Sequence, residues 1–206
     1  MSAQGPSSGA KHLALGTISF TVCFAVWGLI SAFASQFRTQ FGLSATQTAF
    51  LVAVPVLLGS LARIPMGILA DRFGGRLVFA FLMSTVAVPA FLVPQARSFE
   101  TLLIIAFFLG LAGSSFAVGV SYVSRWYPPE QQGAALGVYG LGNIGQSAAV
   151  FLGPLLGKLI GIPAVYQVTA ALVLVWGIAF GLLARNAPAR AAPKGLGAML
   201  AILTNE

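Results

Sequence analysis

The chain has 206 residues, of which 58% are apolar and only 7% are charged, and its mean hydropathy is +0.92. A soluble globular chain carries about 25% charged residues, so this chain lacks the polar surface that folding in water requires. Its net charge of +7 is spread over short gaps between long apolar runs, which argues against a basic nucleic-acid-binding face. The composition predicts a polytopic membrane protein without a nucleic-acid partner.

Six apolar runs are long enough to cross the hydrocarbon core as helices, which takes about 20 residues. The breaks between them are short and carry Pro, Gly or charge, whereas a β-barrel would show short alternating segments. The first run is longer than the core of a signal peptide. The sequence therefore predicts an all-α bundle over 13–184, with spans at about 13–35, 47–70, 77–94, 101–123, 133–157 and 162–184.

The distribution of Lys and Arg over the loops predicts the orientation. With the N-terminus inside, seven basic residues lie on the cytoplasmic side and three on the opposite side, while Arg63 is within a span. We therefore expect a multi-pass protein of the inner (plasma) membrane, with a cytoplasmic tail at 1–12 and a cytoplasmic linker at 185–206. The seven are Lys11, Arg72, Arg76, Arg125, Arg185, Arg190 and Lys194, and the three are Arg38, Arg97 and Lys158.

One cysteine, Cys23, and one histidine, His12, limit the chemistry that the chain offers. They exclude a disulfide framework, a thiolate zinc cluster and histidine-based metal or catalytic sites. Cys23 is interpreted as a small buried residue and His12 as a solvated one. A membrane-embedded enzyme needs a nucleophile, metal ligands or paired carboxylates at depth, and the sequence offers none. We expect neither an enzyme nor a bound metal or cofactor.

Arg63 lies eight residues before Asp71 and therefore about 12 Å into the membrane. A charge at that depth costs about 2.5–3.5 kcal/mol on insertion scales, and no acidic residue of the chain is placed to neutralise it. Either Arg63 binds a small oxyanion through its planar, paired donors, or it is structural and pairs with backbone carbonyls or an absent partner. Gly59 and Gly67, four residues to either side, leave space beside the charge, although such glycines also serve ordinary packing.

Two more residues near the middle of their spans are candidates for the same site. Phe116, in the fourth span, is surrounded by glycine and serine residues. It either packs against lipid and helices or forms a flat wall for a planar ligand. Asn143, in the fifth span, either links helices through hydrogen bonds or donates to an anion near Arg63.

The loop from Gly67 to Arg76, with the sequence GILADRFGGR, resembles the signature of the major facilitator superfamily between helices two and three. The resemblance implies one half of a facilitator fold, in which six helices pair with six others. It also implies that Asp71 contacts neighbouring helix ends and latches one conformation of the cytoplasmic side. Arg72 and Arg76 are then further gating residues.

Within that superfamily the chain resembles the nitrate/nitrite porter family. Arg63, in the sequence RIPMG, matches the substrate arginine of the second helix, and Phe116, twelve positions before Pro128, matches the aromatic residue that stacks on the planar anion. Asn143, in GLGNIG, matches the asparagine of the nitrate signature. The resemblance implies that these three side chains bind nitrate or nitrite.

The fifth span carries a small-residue stripe at multiples of four residues, where two helices can approach closely or slide. The hypothesis is that this stripe lets the helices shift as the gates alternate, with Gly137, Gly142 and Gly145 as conformational residues. The stripe consists of Gly133, Gly137, Gly145, Ala149, Gly153 and Gly157.

The family has twelve spans, and its site combines residues from both six-helix halves. We expect this chain to be the N-terminal half of a nitrate and/or nitrite transporter that works by alternating access, completed by a second half in the same full-length chain or in another copy. The lack of a buried carboxylate favours anion exchange over proton symport. The alternatives are a non-transporting or partner-dependent membrane subunit, and a facilitator for another small anion.

Overall fold

A computed structural model describes residues 6–188, so the predictions for 1–5 and 189–206 lie outside the described residues. Within 6–188, six helical units are long and apolar enough to cross a membrane, which confirms the predicted all-α bundle and makes the chain a multi-pass membrane protein. The first to sixth spans are Ser8–Ala32, Ala45–Phe73, Gly75–Gln95, Phe99–Ser124, Pro129–Ile160 and Ile162–Leu183.

Three of the spans are interrupted near their middle, and the third span ends in a 3₁₀ turn. The α-helices are Pro6–Ala32, Ala34–Phe41, Ala45–Leu61, Arg63–Phe73, Gly75–Leu92, Phe99–Leu109, Ser115–Ser124, Pro129–Gly140, Ile144–Ile160 and Ile162–Leu183. Short 3₁₀ segments cover Val93–Gln95, Gly110–Ser114 and Leu141–Asn143.

The interruption of the second span follows from Pro65. Proline has no N–H to donate to the carbonyl of Leu61, four residues earlier, and its ring crowds that carbonyl. The α-helix accordingly ends at Leu61 and a new one begins at Arg63. In the fourth and fifth spans the interruptions are 3₁₀ segments, which in the middle of a helix often mark functional hinges.

Within the described residues the first helix covers Pro6–Ala32, which includes several residues before the predicted start of the span, and His12 in this part of the helix is docked rather than exposed. The interpretation of His12 as a solvated residue was wrong: its side chain is 2% exposed. Its Nδ1 lies 2.7 Å from the hydroxyl of Tyr122, and its ring stacks on Trp126 with centroids 3.8 Å apart. These contacts hold the start of the first span against the end of the fourth. Cys23 is buried, as predicted.

The fifth span packs along the first, and the three glycines predicted to be conformational residues differ in their surroundings. At Gly145 an added Cβ would collide with the backbone of Thr21, and at Gly142 it would collide with the ring of Phe20. At Gly137 an added Cβ would meet nothing within 4 Å among residues 6–188. Close helix contact therefore explains Gly142 and Gly145, whereas Gly137 faces open space.

Candidate anion-binding site

The second and fourth spans run in the same direction and touch backbone to backbone, which places their side chains in register. A Cβ on Gly59 would lie 2.8 Å from the carbonyl oxygen of Gly110, and one on Gly113 would lie 3.2 Å from the Cα of Gly59. Real Cβ atoms essentially never come within 3.0 Å of another heavy atom, so only glycine fits at position 59, and at position 113 a side chain would force the neighbouring backbone to shift. One turn further along each helix lie Arg63 and Phe116.

Arg63 lies over the ring of Phe116, with 6.0 Å between its guanidinium carbon and the ring centroid. This is the outer range of a cation–π contact, so the ring attracts the cation without satisfying its hydrogen-bond donors. The two residues come 10 and 8 positions before the ends of their spans, about 15 and 12 Å from those ends. The structure thus brings together two of the three predicted site residues, near the middle of their spans and on an exposed face of the bundle.

No acid neutralises Arg63 within the part of the chain that the structure describes. Its three acidic residues are Asp71, Glu100 and Glu130, and only Asp71 takes part in an ion pair, with a different arginine. The side chain of Arg63 is exposed on this six-helix unit, and its neighbour Ile64 is 73% exposed. The guanidinium therefore keeps its paired donors free on an uncovered face of the second span.

Phe116 is 38% exposed, and its ring also packs against other aromatic rings. Its centroid lies 5.6 Å from that of Phe20 and 6.1 Å from that of Tyr139, and both of those residues are fully buried. Rings at these distances pack favourably in tilted arrangements. Phe116 therefore presents one open face from a fixed aromatic base.

Asn143 ends the 3₁₀ segment of the fifth span, and its side chain is exposed. Its neighbour Gly142 packs on Phe20, which in turn contacts Phe116, so Asn143 lies near the aromatic base. Its amide forms no hydrogen bond to any residue between 6 and 188. Hydrogen bonding between helices, one of the two interpretations of Asn143, is therefore not seen here, and the amide is left free.

Asp71 joins the end of the second span to the end of the fourth. Its Oδ1 accepts a hydrogen bond from the hydroxyl of Ser121 at 2.6 Å and one from Nη2 of Arg125 at 2.9 Å. The side chains of Asp71 and Arg125 are each 41% exposed, so water screens the pair. Sequence reasoning selected Asp71 but missed Arg125 as its partner, although both residues follow their glycine contacts in the same register.

Arg76 and Arg72 differ in what they hold. The Nε of Arg76 donates to the carbonyl of Gly181 at 2.7 Å, and its backbone N–H donates to Oδ1 of Asn186 at 3.0 Å, so it ties the third span to the sixth. The guanidinium carbon of Arg72 lies 5.4 Å from the ring centroid of the adjacent Phe73, and its side chain is exposed. Arg76 is thus a link inside the bundle, while Arg72 is available to a partner.

Residues 15–205 match the model of the Major Facilitator Superfamily. The chain belongs to the major facilitator superfamily. It is similar to a probable nitrate/nitrite antiporter of Thermus thermophilus, with 48% identity over 146 residues that cover 71% of this chain and 33% of that protein. It is also similar to a nitrite extrusion protein of Bacillus subtilis, with 37% identity over 167 residues that cover 81% of this chain and 42% of that protein. These relatives confirm the resemblance to the nitrate/nitrite porter family.

The alignments span about a third to two-fifths of the length of these curated relatives. The fold is that of one facilitator half: a bacterial homologue of the human lysosomal transporter Spinster, in an inward-facing and unoccupied conformation, superposes with a TM-score of 0.78. The two sequences are 20% identical, and the match covers 93% of this chain and 46% of the Spinster homologue. The likeness shows the fold alone.

The ion pair between Asp71 and Arg125 should contribute measurably but weakly to stability. In a double-mutant cycle with Asp71→Asn and Arg125→Gln, we expect a coupling free energy of about 0.3–1 kcal/mol, because the pair is partly exposed. Thermal unfolding of the detergent-purified protein measures it. A cycle with Asp71→Asn and Arg72→Gln is the matched control and should show no coupling. Equal coupling in both cycles would mean that the overall positive charge around Asp71, rather than its contact with Arg125, stabilises the fold.

Proposed function

We propose that this chain is the N-terminal six-helix half of a transporter, rather than an enzyme, that moves nitrate or nitrite across the plasma membrane by alternating access. The observation that carries the proposal is the unneutralised Arg63 beside the open face of Phe116. The names of the relatives, a nitrate/nitrite antiporter and a nitrite extrusion protein, support the choice of anion.

Each of the three residues has a separate role in binding. The guanidinium of Arg63 attracts the anion and donates paired hydrogen bonds to two of its oxygens. Phe116 offers a flat surface to a flat ion, and the free amide of Asn143 donates a further hydrogen bond. Nitrate and nitrite are both planar, so the same arrangement suits either.

The exposed face that carries Arg63 requires a cover. A charge more than 10 Å from the membrane surface cannot face lipid tails without a large cost. Facilitator folds place their substrate at the midplane, between two halves that rock around it. We therefore assign this face to a second six-helix half, in the same full-length chain or in another copy.

The gating residues lie at the end of the bundle that carries Asp71. The pairing of Asp71 with Arg125 holds the second and fourth spans together, and Arg76 holds the third and sixth. Both links keep this half rigid, while the exposed Arg72 is free to contact the second half. In the fifth span Gly142 and Gly145 allow close sliding along the first span, and Gly137 faces the second half.

Anion exchange is favoured over proton symport, because no carboxylate lies at depth among residues 6–188 to carry a proton.

The net excess of Lys and Arg at the Asp71 end supports a cytoplasmic location for both termini. In intact cells, a membrane-impermeant maleimide should label an Arg97→Cys variant but not an Arg185→Cys variant, with the buried Cys23 unreactive. Labelling of Arg185→Cys alone would reverse the orientation.

Replacement of Arg63 tests the proposed site. In the full-length protein reconstituted into liposomes, Arg63→Ala should lower kcat/KM for nitrate by about 10- to 100-fold, since hydrogen bonds to a charged group contribute about 1.5–3 kcal/mol. Arg63→Lys keeps the charge but loses the paired donors, so its loss should be smaller and should appear mainly in KM. Uptake of ¹³N- or ¹⁵N-nitrate measures both.

Arg97→Ala, which removes an exposed arginine at the other end of the bundle, is the matched control and should leave uptake unchanged. Unchanged uptake in both Arg63 variants would remove Arg63 from the site.

A further inference from the structure

Tyr139 is a fully buried phenol in the middle of the membrane, two residues before the 3₁₀ segment of the fifth span. Its hydroxyl donates to the carbonyl oxygen of Ser115 at 2.9 Å and lies 3.5 Å from that of Phe116. Ser115 is the first residue after the 3₁₀ segment of the fourth span. One side chain thus links the spans that carry Phe116 and Asn143, at points next to the 3₁₀ segment of each.

The ring of Tyr139 also supports Phe116 by packing. It stacks on Phe20 with centroids 4.9 Å apart and planes inclined by 21°, and Phe20 in turn contacts Phe116. The backbone atoms and the ring of Phe116 are therefore both held by groups that Tyr139 touches. A ring fixed in this way loses little freedom when a ligand stacks on it.

Gly119 provides the space that the phenol occupies. A Cβ at this position would overlap the hydroxyl of Tyr139, so only glycine leaves the socket open. Gly119 follows Phe116 by less than one helical turn, on the face of the fourth span that meets the fifth. The sequence therefore provides both the hydroxyl and the gap into which it fits.

We propose that Tyr139 is a positioning residue that fixes the ring of Phe116 below Arg63 and thereby sets the affinity for the planar anion. This inference rests on the proposed function for its effect on nitrate, but not for its effect on the ring. Tyr139 touches Phe116 and not the substrate, so it affects binding only through the position of the Phe116 ring. Tyr139 also couples the two helices. If the fifth span moves at its 3₁₀ segment, Phe116 in the fourth span moves with it.

The experiment compares Tyr139→Phe with Tyr166→Phe in the full-length, detergent-purified protein. Tyr166 is the matched control because it is equally buried, packs on Phe33, and has a hydroxyl without a hydrogen-bond partner among residues 6–188. Nitrate binding is measured by calorimetry. A 4-fluorophenylalanine at position 116 reports the state of that ring by ¹⁹F NMR in nitrate-free protein.

We expect Tyr139→Phe to raise the Kd for nitrate by roughly three- to tenfold, the loss that one hydrogen bond allows. Its ¹⁹F line should broaden or split as the ring samples more than one position, while Tyr166→Phe changes neither readout. An unaltered ¹⁹F line, or an unaltered Kd with a changed line, overturns the proposal. If the wild-type protein binds no nitrate, the proposed function fails, and the ¹⁹F comparison alone decides whether Tyr139 positions the ring.

Discussion

The close contact between the second and fourth spans at Gly59, Gly110 and Gly113 is the constraint on which the candidate site depends. Two parallel helices whose backbones touch have no freedom of register, so residues at equal distance from the contact must meet. On one side this brings Arg63 to Phe116, and further along it brings Asp71 to Arg125. The candidate site and the ion pair between Asp71 and Arg125 are therefore consequences of one packing contact, and a change in that contact would alter both.

Interrupted helices are the second feature that the site requires. Each of the three candidate binding residues lies at or next to a break: Arg63 begins a new helix, Asn143 ends a 3₁₀ segment, and Phe116 follows one by two positions. A continuous α-helix in lipid satisfies all its own backbone groups and is stiff. Breaks at mid-depth provide points at which a span can bend, and the hydroxyl of Tyr139 bonds to the first α-helical residue after one of them.

Much of this was accessible from the sequence, for physical reasons. Hydrophobic runs of span length identify membrane helices because the bilayer core leaves few alternatives, and a lone arginine such as Arg63 stands out because its insertion is costly. Resemblance to a known signature then selected Phe116, Asn143 and Asp71. What the sequence could not show was which faces meet: the docking of His12, the pairing of Arg125 and the socket for Tyr139 each join residues at least 20 positions apart.

The central claim is that helix contact, and not the presence of the residues alone, builds the anion site. The most direct measurement is the Kd for nitrate of the full-length protein carrying Gly59→Ala, compared with Gly181→Ala in the sixth span, where an added Cβ makes only an ordinary contact with the side chain of Ala80. A methyl group at position 59 must push the second span away from the carbonyl of Gly110, so Arg63 moves off Phe116 and the Kd rises by about fivefold or more. Gly181→Ala leaves it unchanged. Equal nitrate affinity in both variants would contradict the account.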